Sequence, residues 1–285
     1  MRSGDANLLE MPTSSGEPIA DNFELAMLSD LGSDRDNNED SCGHLVESPE
    51  AIVFAVADGV GGYEGGEVAS KMAIEITLQS YGESPREWGA AKRLHRAVQA
   101  ANIEIYNRAL AIPELRRMST TLTAVAIENG SLSAVHVGDC RLYLLRGVSV
   151  VQLSKDHTMV GERVRLGLMS DSRAKNHPDR SVLLRSLGRE LIASVDRFTM
   201  PLRQGDQLVL CSDGLYHVFE DAELMHLSDG LGAEEACRKL IDVANQRGTA
   251  DNLTVALFKM IGETPYVETS MRWRDRVKNL FSRRG

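Results

Sequence analysis

Four aspartates in the sequence have the same kind of location, because each lies at an end of an apolar segment of strand length. They are Asp58, Asp139, Asp213 and Asp251, and the first and third are each followed by glycine. A single Asp-Gly pair is common in turns, but carboxylates that converge at the ends of buried strands repel one another unless a cation lies among them. Oxygen ligands of this kind suit Mg²⁺ or Mn²⁺. The pattern therefore predicts a metal site at the strand ends.

A short polar segment, RDNNED (35–40), places a guanidinium close to two further acids. Arg35 precedes Glu39 by four residues and Asp40 by five. The planar donor fork of arginine suits a phosphate group. Taken alone, the segment is equally typical of a surface ion-pair cluster, so the residue types leave both interpretations open.

The segments around these residues predict the elements that must position them. Residues 51–59 form an apolar run of strand length that ends in Asp-Gly, as expected for a strand buried on both faces. Apolar residues then recur at helical spacing over 64–82 and 87–110. The second of these helices is predicted to direct Leu110, with the rest of its apolar stripe, toward the core.

The middle of the chain changes to a strand pattern. Asn129-Gly130 separates two apolar segments, and Asn-Gly favours the positive φ angles of a tight hairpin turn. Strands joined by hairpins favour an α+β fold, a layered sandwich of antiparallel sheets flanked by helices. Strands are predicted over 119–127, 131–139, 140–147, 149–154, 206–214 and 250–260, and a third helix over 233–248.

Three segments differ from this pattern. Residues 1–20 are rich in Ser, Pro, Gly and Glu and are predicted to be a flexible leader. Residues 155–190 are polar and basic, which indicates a helix followed by an exposed loop of functional interest. Residues 271–285 are basic and partly amphipathic. They are typical of a solvated or docked terminal helix, or of a segment that contacts a partner or a membrane surface.

Composition excludes several classes of protein. The chain has 285 residues and a formal charge of −9, which disfavours non-specific nucleic-acid binding. Its four cysteines form no Cys-x-x-Cys pair, so neither a zinc site nor a disulfide framework is expected, and the reducing cytoplasm is the predicted location. No apolar stretch approaches the roughly 20 residues of a membrane-spanning helix, and the first residues lack the apolar run of a secretory signal.

The motifs together resemble the PPM family of metal-dependent protein serine/threonine phosphatases, the type-2C phosphatases, in their compact bacterial form. The resemblance runs from about residue 23 to 260 and rests on motifs that occur in the family's order. They are SDLGSDRDNNEDS, AVADGVGGYEGGEVAS, STTLTAVAI, HVGDCRLYLLR, DHTMV, HPDRSVLLRSLG, LVLCSDGL and GTADNLTV.

The resemblance implies an α-β-β-α sandwich of two antiparallel sheets, with a phosphatase domain over 21–262 and a basic tail over 263–285. It also implies a flap over about 158–180. Two Mn²⁺ or Mg²⁺ ions are implied, with Asp58 bridging them and the Gly59 carbonyl as a further ligand.

The remaining roles implied by the resemblance concern residues around these two ions. Asp213 and Asp251 would hold one ion, and Glu39 and Asp40 would act around the other, largely through water. Asp139, with Asp213, would hold a third and weaker ion. Arg35 would bind the substrate phosphate.

The resemblance leaves the proton donor for the leaving group open. Many family members carry histidine where this chain has Val60. A metal-bound water or His177 of the flap could donate the proton, or His177 could simply order its loop. His177 and Arg173 are predicted substrate contacts, and the basic flap residues, including Lys175 and Arg180, are predicted to favour an acidic or phosphorylated partner.

The predicted function is hydrolysis of phosphoserine and phosphothreonine in proteins, in opposition to a bacterial serine/threonine kinase. One alternative is a phosphatase of a regulatory switch protein of the anti-sigma-factor-antagonist type. Another is an inactive phosphoprotein-binding module, which the complete set of acids disfavours. A nucleotide phosphatase is disfavoured because no GxxxxGK[ST] loop is present.

Overall fold

The computed structural model describes residues 22–60 and 65–263. The predicted leader (1–20) and all but the first residue of the predicted tail (263–285) lie outside the described residues. No helix within the described ranges combines the length and apolar character needed to cross a membrane.

One antiparallel sheet brings the two ends of the described chain together. Its strands are β1 (Phe23–Asp30), β7 (Arg141–Arg146), β8 (Ser149–Gln152), β10 (Gln207–Cys211) and β11 (Leu253–Met260). The spatial order is β1-β11-β10-β7-β8. The pairing of β1 with β11 places Asp30 opposite Leu253, so the chain just after β1 lies beside the chain just before β11.

The second antiparallel sheet carries the longest apolar strand. Its strands are β2 (Asp40–Ser48), β3 (Ala51–Val60), β4 (Ser119–Thr120), β5 (Leu122–Glu128), β6 (Ser131–Val137) and β9 (Asp196–Pro201). The order is β2-β3-β5-β6-β9, and β4 pairs with the end of β3. Asn129 and Gly130 both have positive φ (50° and 71°), which confirms the hairpin turn predicted from Asn-Gly.

Helices cover the outer face of each sheet. Helices α1 (Gly65–Glu83) and α2 (Ala90–Ala111) pack on the second sheet, and α7 (Ala233–Gln246) packs on β1 and β11 of the first. The α-β-β-α sandwich is therefore confirmed. The remaining helices are α3 (Met159–Arg165), α4 (Asp171–Lys175), α5 (Asp213–Tyr216) and α6 (Asp221–Ser228).

Alternation along β3 explains why this strand is apolar on both faces. Phe54 and its same-face neighbours contribute to the core between the sheets, where Phe54 stacks on Phe258 with ring centroids 5.9 Å apart. Val53 and its neighbours on the other face contribute to the core under α1 and α2. Each fully buried large side chain contributes about 1.5–3 kcal/mol relative to exposure, so the strand that carries Asp58 is firmly anchored.

Three details of the sequence prediction are corrected. Leu110 is 65% exposed, because it lies five residues beyond Ile105 and off the stripe that Ala109 continues. The strand predicted over 206–214 ends at Cys211, and Asp213 is the first residue of α5. The strands β1, β2 and β9 were not predicted, because their polar residues interrupt the apolar pattern.

Candidate metal centre

The backbone of Asp58 is held from one side by the β4–β5 segment. The Asp58 N–H donates to Thr121 Oγ1 (2.9 Å), and the Asp58 carbonyl accepts from the Thr121 N–H (2.9 Å) and from Thr120 Oγ1 (2.8 Å). The Asp58 carboxylate therefore stands on a backbone that cannot shift without loss of three hydrogen bonds.

Gly59 permits a close approach of three chain segments. Its N–H donates to the Glu39 carbonyl (3.0 Å). A Cβ at this position would lie 2.1 Å from the Gly66 carbonyl oxygen and 2.7 Å from that of Glu39. Only glycine therefore fits between the start of α1 and the chain that enters β2, and this packing brings Glu39 to the end of β3.

Asp40 lies opposite Asp58 in the antiparallel ladder of β2 and β3. Directly opposed like charges destabilise a sheet, so this pairing needs compensation. Ser212 Oγ donates to Asp40 Oδ2 (2.7 Å) and accepts from the Thr254 N–H (3.0 Å). Burial raises the pKa of Asp40 to about 6, against the opposing effect of the Ser212 hydrogen bond. Asp40 is thus a buried acid that links the two sheets.

Asp213 enters the same region from the other sheet. It is buried at the start of α5, and burial followed by the charges of Asp251 and Asp40 raises its pKa to about 7. One turn later, His217 Nδ1 lies 3.6 Å from Asp213 Oδ2. Sequence reasoning missed His217, although its position four residues after the acid on a helix was a usable signal.

Asp139 lies in the tight turn after β6. Gly138 before it has φ of 104°, and a Cβ there would meet Thr121 at 2.5 Å, so the turn requires glycine. Asp139 is buried. Burial, and next the charge of Asp213, raise its pKa well above the ordinary value. The turn therefore brings a third buried acid toward Asp213.

Arg35 reaches the acidic cluster through Asp251. Its guanidinium lies 2.8 Å from Asp251 Oδ1, and both side chains are partly exposed. Partial burial acts to lower the pKa of Arg35, but the charges of Asp251, Glu39 and Asp58 raise it overall. The exposed position and the permanent charge leave this donor fork available to an anion from solvent.

Asn252 organises the loop that carries Arg35. Its Oδ1 accepts from the Glu39 N–H (2.9 Å), and its Nδ2 donates to the carbonyls of Leu31 (2.9 Å) and Asn37 (3.1 Å). The loop between β1 and β2 is thus fastened to the start of β11. Sequence reasoning missed Asn252, because a buried amide next to an acid has no distinctive pattern.

The charges of the predicted acids act on one another. Burial raises the pKa of Asp58 well above its usual range, and the charges of Asp40, Asp213, Asp139 and Asp251 raise it further. This concentration of negative charge at the ends of two sheets suits divalent cations. The side chains brought together are Arg35, Glu39, Asp40, Asp58, Asp139, Asp213 and Asp251.

The donor set suits hydrated ions better than a closed protein cage. Among the described residues, no three His, Cys, Asp or Glu side chains already converge as a set that could hold an ion. Mg²⁺ usually keeps several waters and is bound by only one or two carboxylates. The spacing of these acids is therefore compatible with ions that retain water.

The metal-free protein should lose stability as pH rises from about 5 to about 8. Asp40 and Asp213 have folded-state pKa values of about 6 and about 7, above the value near 4 of an unfolded chain. The folded state therefore binds more protons at acid pH, and this stabilisation is lost as pH rises through the folded pKa values. Thermal unfolding in EDTA across this range should show a fall of several degrees in Tm.

Mn²⁺ should reduce this pH dependence by compensating the carboxylate charges, and Asp213→Asn should reduce it without metal, leaving the part that comes from Asp40. A metal-free Tm that is the same from about pH 5 to about pH 8 would contradict the electrostatic account.

A wide cleft of about 1390 Å³ lies beside the acidic cluster. Its lining includes Tyr216 and His217, which follow Asp213 on the chain, together with Arg180 at the end of the predicted flap. The guanidinium of Arg180 acts to lower the pKa values of both Asp213 and His217. The cleft therefore borders the chain that follows Asp213, although none of the clustered acids lines it.

Two predicted substrate contacts are not brought into this cleft. Arg173 is exposed on α4, and neither Arg173 nor His177 contributes to the lining. His177 Nδ1 instead accepts a hydrogen bond from the Asp179 N–H (3.1 Å). That local bond favours the interpretation of His177 as a residue that orders its own loop.

Comparisons with known proteins agree with this geometry. Residues 33–258 match the protein phosphatase 2C family. The serine/threonine phosphatase stp of Listeria innocua is 36% identical over 233 residues, which are 80% of this chain and 92% of the relative.

Solved structures extend the agreement to the fold. The serine/threonine phosphatase PstP/Ppp of Mycobacterium tuberculosis matches with a TM-score of 0.77 and 34% identity, covering 85% of this chain and 100% of that one. The PstP catalytic domain in complex with two manganese ions matches with a TM-score of 0.74 and 32% identity over 85% and 99% of the respective chains. The chain therefore belongs to the protein phosphatase 2C family of metal-dependent serine/threonine phosphatases.

Proposed function

We propose that this chain hydrolyses phosphoserine and phosphothreonine in proteins at the acidic cluster, within a catalytic domain that spans residues 21–262. The observation that carries the proposal is that buried acids from both sheets meet at the end of β3. Asp40 lies opposite Asp58 in the strand ladder, and Ser212, the neighbour of Asp213, donates a hydrogen bond to Asp40. Proposed ion ligands are Asp58, the Gly59 carbonyl, Asp213 and Asp251, with Glu39 and Asp40 around the second ion and Asp139 at a third, weaker ion.

The chain's own residues bind and orient the substrate. Arg35 lies at the solvent-exposed edge of the acidic cluster, where its two parallel N–H donors can bind a phosphate. Asp251 holds that guanidinium in place at 2.8 Å. Mn²⁺ or Mg²⁺, when bound, would supply Lewis-acid chemistry by acidifying water and neutralising phosphoryl charge.

A direct assay with p-nitrophenyl phosphate and a phosphoserine peptide tests this function. Hydrolysis of both compounds should require added Mn²⁺ or Mg²⁺ and should stop on addition of EDTA. If purified and folded protein hydrolyses neither compound at any metal concentration while still binding a phosphopeptide, the inactive binding module is the better account.

The proposed partners are a cognate serine/threonine kinase and its phosphorylated substrates. The proposed location is the cytoplasm, because all four cysteines are free and three of them are buried, as expected in a reducing compartment. Deletion of the protein should then raise phosphorylation of the kinase and its substrates, whereas accumulation of one phosphorylated switch protein would favour the alternative.

Charge reversal in and near the flap should affect protein substrates more than small ones. Arg180→Glu should lower kcat/KM for a phosphoprotein by about tenfold, the value of one lost charge-assisted contact. It should change the value for p-nitrophenyl phosphate by less than about threefold, because that compound does not reach the flap. Arg173→Glu is the matched comparison, and its effect should be smaller because Arg173 lies outside the cleft.

Steady-state kinetics of both variants on both substrates check this expectation. Equal losses on the phosphoprotein and on p-nitrophenyl phosphate would count against recognition by the flap.

A further inference from the structure

Two buried histidines lie behind the turn that carries Asp139, and the catalytic scheme above does not use them. The rings of His136 and His157 are in contact, with centroids 4.8 Å apart and planes tilted by 36°. Both side chains are almost completely shielded from solvent. Polar rings are retained in a core when their hydrogen bonds specify a geometry, so each ring's partners are informative.

His157 is bonded twice to the residue before Asp139. The Gly138 N–H donates to His157 Nδ1 (3.1 Å), and the His157 N–H donates to the Gly138 carbonyl (2.7 Å). Gly138 has no side chain and a positive φ that few residues adopt. These two hydrogen bonds therefore tie the turn that carries Asp139 to the chain that enters the flap.

The other ring nitrogen of His157 faces the opposite direction. Because Nδ1 accepts a hydrogen bond, Nε2 is the ring nitrogen left to donate to a carboxylate. Nε2 is 3.4 Å from Asp196 Oδ2, and Arg185 Nη1 lies 3.2 Å from both His157 Nε2 and Asp196 Oδ1. The hydrogen bond with His157 is the main reason that the pKa of Asp196 is lowered to about 2. The His157 ring thus connects the turn that carries Asp139 with Asp196, the first residue of β9.

The backbone of His157 joins the two ends of the flap. The His157 carbonyl accepts from the Leu184 N–H (2.8 Å), and Thr158 forms an isolated antiparallel bridge with Leu183. Thr158 Oγ1 also accepts from the Gly161 N–H (3.0 Å) and so caps α3. The chain that enters the flap and the chain that leaves it therefore meet at this residue.

His136 provides a fixed surface for the His157 ring. Burial lowers the pKa of His136 to about 4, so the ring is neutral near pH 7. Its Nε2–H donates to the Lys155 carbonyl (2.9 Å), and the Thr123 hydroxyl donates to its Nδ1 (2.7 Å). With both nitrogens bonded, the His136 ring cannot rotate freely, and this restrains the ring packed against it.

We propose that His157 is a positioning residue that couples the flap to the Asp139 metal ligand. The inference depends on the proposed role of Asp139 as an ion ligand. Movement of the flap ends acts on His157, and His157 acts on Gly138 and so on the adjacent carboxylate. Occupation of the Asp139 site by a divalent cation and ordering of the flap should therefore support each other.

A matched pair of variants tests which ring nitrogen matters. His157→Asn keeps an acceptor near the Nδ1 position, whereas His157→Gln keeps a polar group near Nε2 but loses that acceptor. Titration calorimetry with Mn²⁺ alone should show the weakest site of His157→Gln weakened about tenfold, as expected for a residue that orients a ligand. For His157→Asn the change should be less than about threefold, and the tighter sites should be unchanged in both. Asp139→Asn identifies the weakest site by abolishing it.

Hydrogen exchange gives a second readout that does not depend on turnover. Saturating Mn²⁺ should slow amide exchange in the flap of the wild-type protein and of His157→Asn, and this protection should be lost in His157→Gln.

Wild-type Mn²⁺ affinities in His157→Gln, or equal weakening of all sites in both variants, would overturn the proposal. Unchanged Mn²⁺ binding by Asp139→Asn would overturn it as well. If the wild-type protein hydrolyses no phosphate ester but the Asn and Gln variants still differ in Mn²⁺ affinity, the proposed function fails and the coupling stands.

Discussion

Asp58→Asn and Asp213→Asn should each lower kcat/KM for p-nitrophenyl phosphate by more than about a hundredfold at saturating Mn²⁺. Residues that merely orient metal ligands are already worth about 10–100-fold, and these two side chains are the proposed ligands themselves. Asparagine preserves the shape of the side chain but removes the charge that a divalent cation needs. Steady-state kinetics over a wide range of Mn²⁺ concentrations would measure the loss.

The same substitutions should raise the Tm of the metal-free protein. The pKa values of both carboxyls are raised by burial and by neighbouring acids, so each charge is unfavourable in the folded state at neutral pH. The bonds that hold Asp58 in place involve its backbone and remain in the variant. Loss of activity with a gain in metal-free stability would distinguish a ligand role from simple unfolding.

Asp242→Asn is a suitable control, because Asp242 is exposed on α7, away from the acidic cluster. It should retain the wild-type kcat/KM and the wild-type dependence on Mn²⁺. Full turnover by either Asp58→Asn or Asp213→Asn with metal saturating would exclude the two-ion assignment.

Arg35→Ala should lower kcat/KM by about a hundredfold, and Arg35→Lys by about tenfold. Alanine removes two charge-assisted hydrogen bonds, each worth about 1.5–3 kcal/mol when made to an ion. Lysine retains the charge but not the planar fork that binds a phosphate through two parallel bonds. Initial-rate kinetics would measure these losses. Inorganic phosphate should inhibit the wild-type protein most strongly, Arg35→Lys less and Arg35→Ala least.

Mn²⁺ binding separates this effect from damage to the metal site. Arg35 pairs with Asp251, so its removal leaves the acidic cluster more negative and should maintain or increase Mn²⁺ affinity. Arg238→Ala is the matched control, because its pair with Glu234 lies on the surface of α7, where ion pairs contribute little. A kcat/KM unchanged in Arg35→Ala, or reduced only through weaker Mn²⁺ binding, would contradict the phosphate-binding role.

Sequence patterns predicted the fold class where the relevant signals are local. The turn at Asn129-Gly130 requires positive φ angles that this dipeptide favours, so the hairpin was confirmed. The run 51–59 was apolar enough to indicate a strand buried on both faces, and β3 has cores on both sides. The acids themselves were predicted because a charge at the end of an apolar strand is costly without a reason to be there.

Other features were not predictable because they depend on contacts between distant parts of the chain. The strands β1, β2 and β9 have interrupted apolar patterns, and pairing with neighbours compensates for their weak local preference. The hydrogen bond from Ser212 to Asp40 forms because β10 packs across the sandwich from β2. The hydrogen bond from the Asp58 N–H to Thr121 forms because the β4–β5 segment runs beside the end of β3.

Residue type and local spacing are enough to identify the acids, their places at the ends of apolar segments, and the cation that their charges need. Three contacts come only from the folded chain: Asp40 lies opposite Asp58, Arg35 pairs with Asp251, and Gly138 is hydrogen-bonded to His157. Strand register and the packing of two sheets set these contacts, and both depend on the whole core rather than on any local segment.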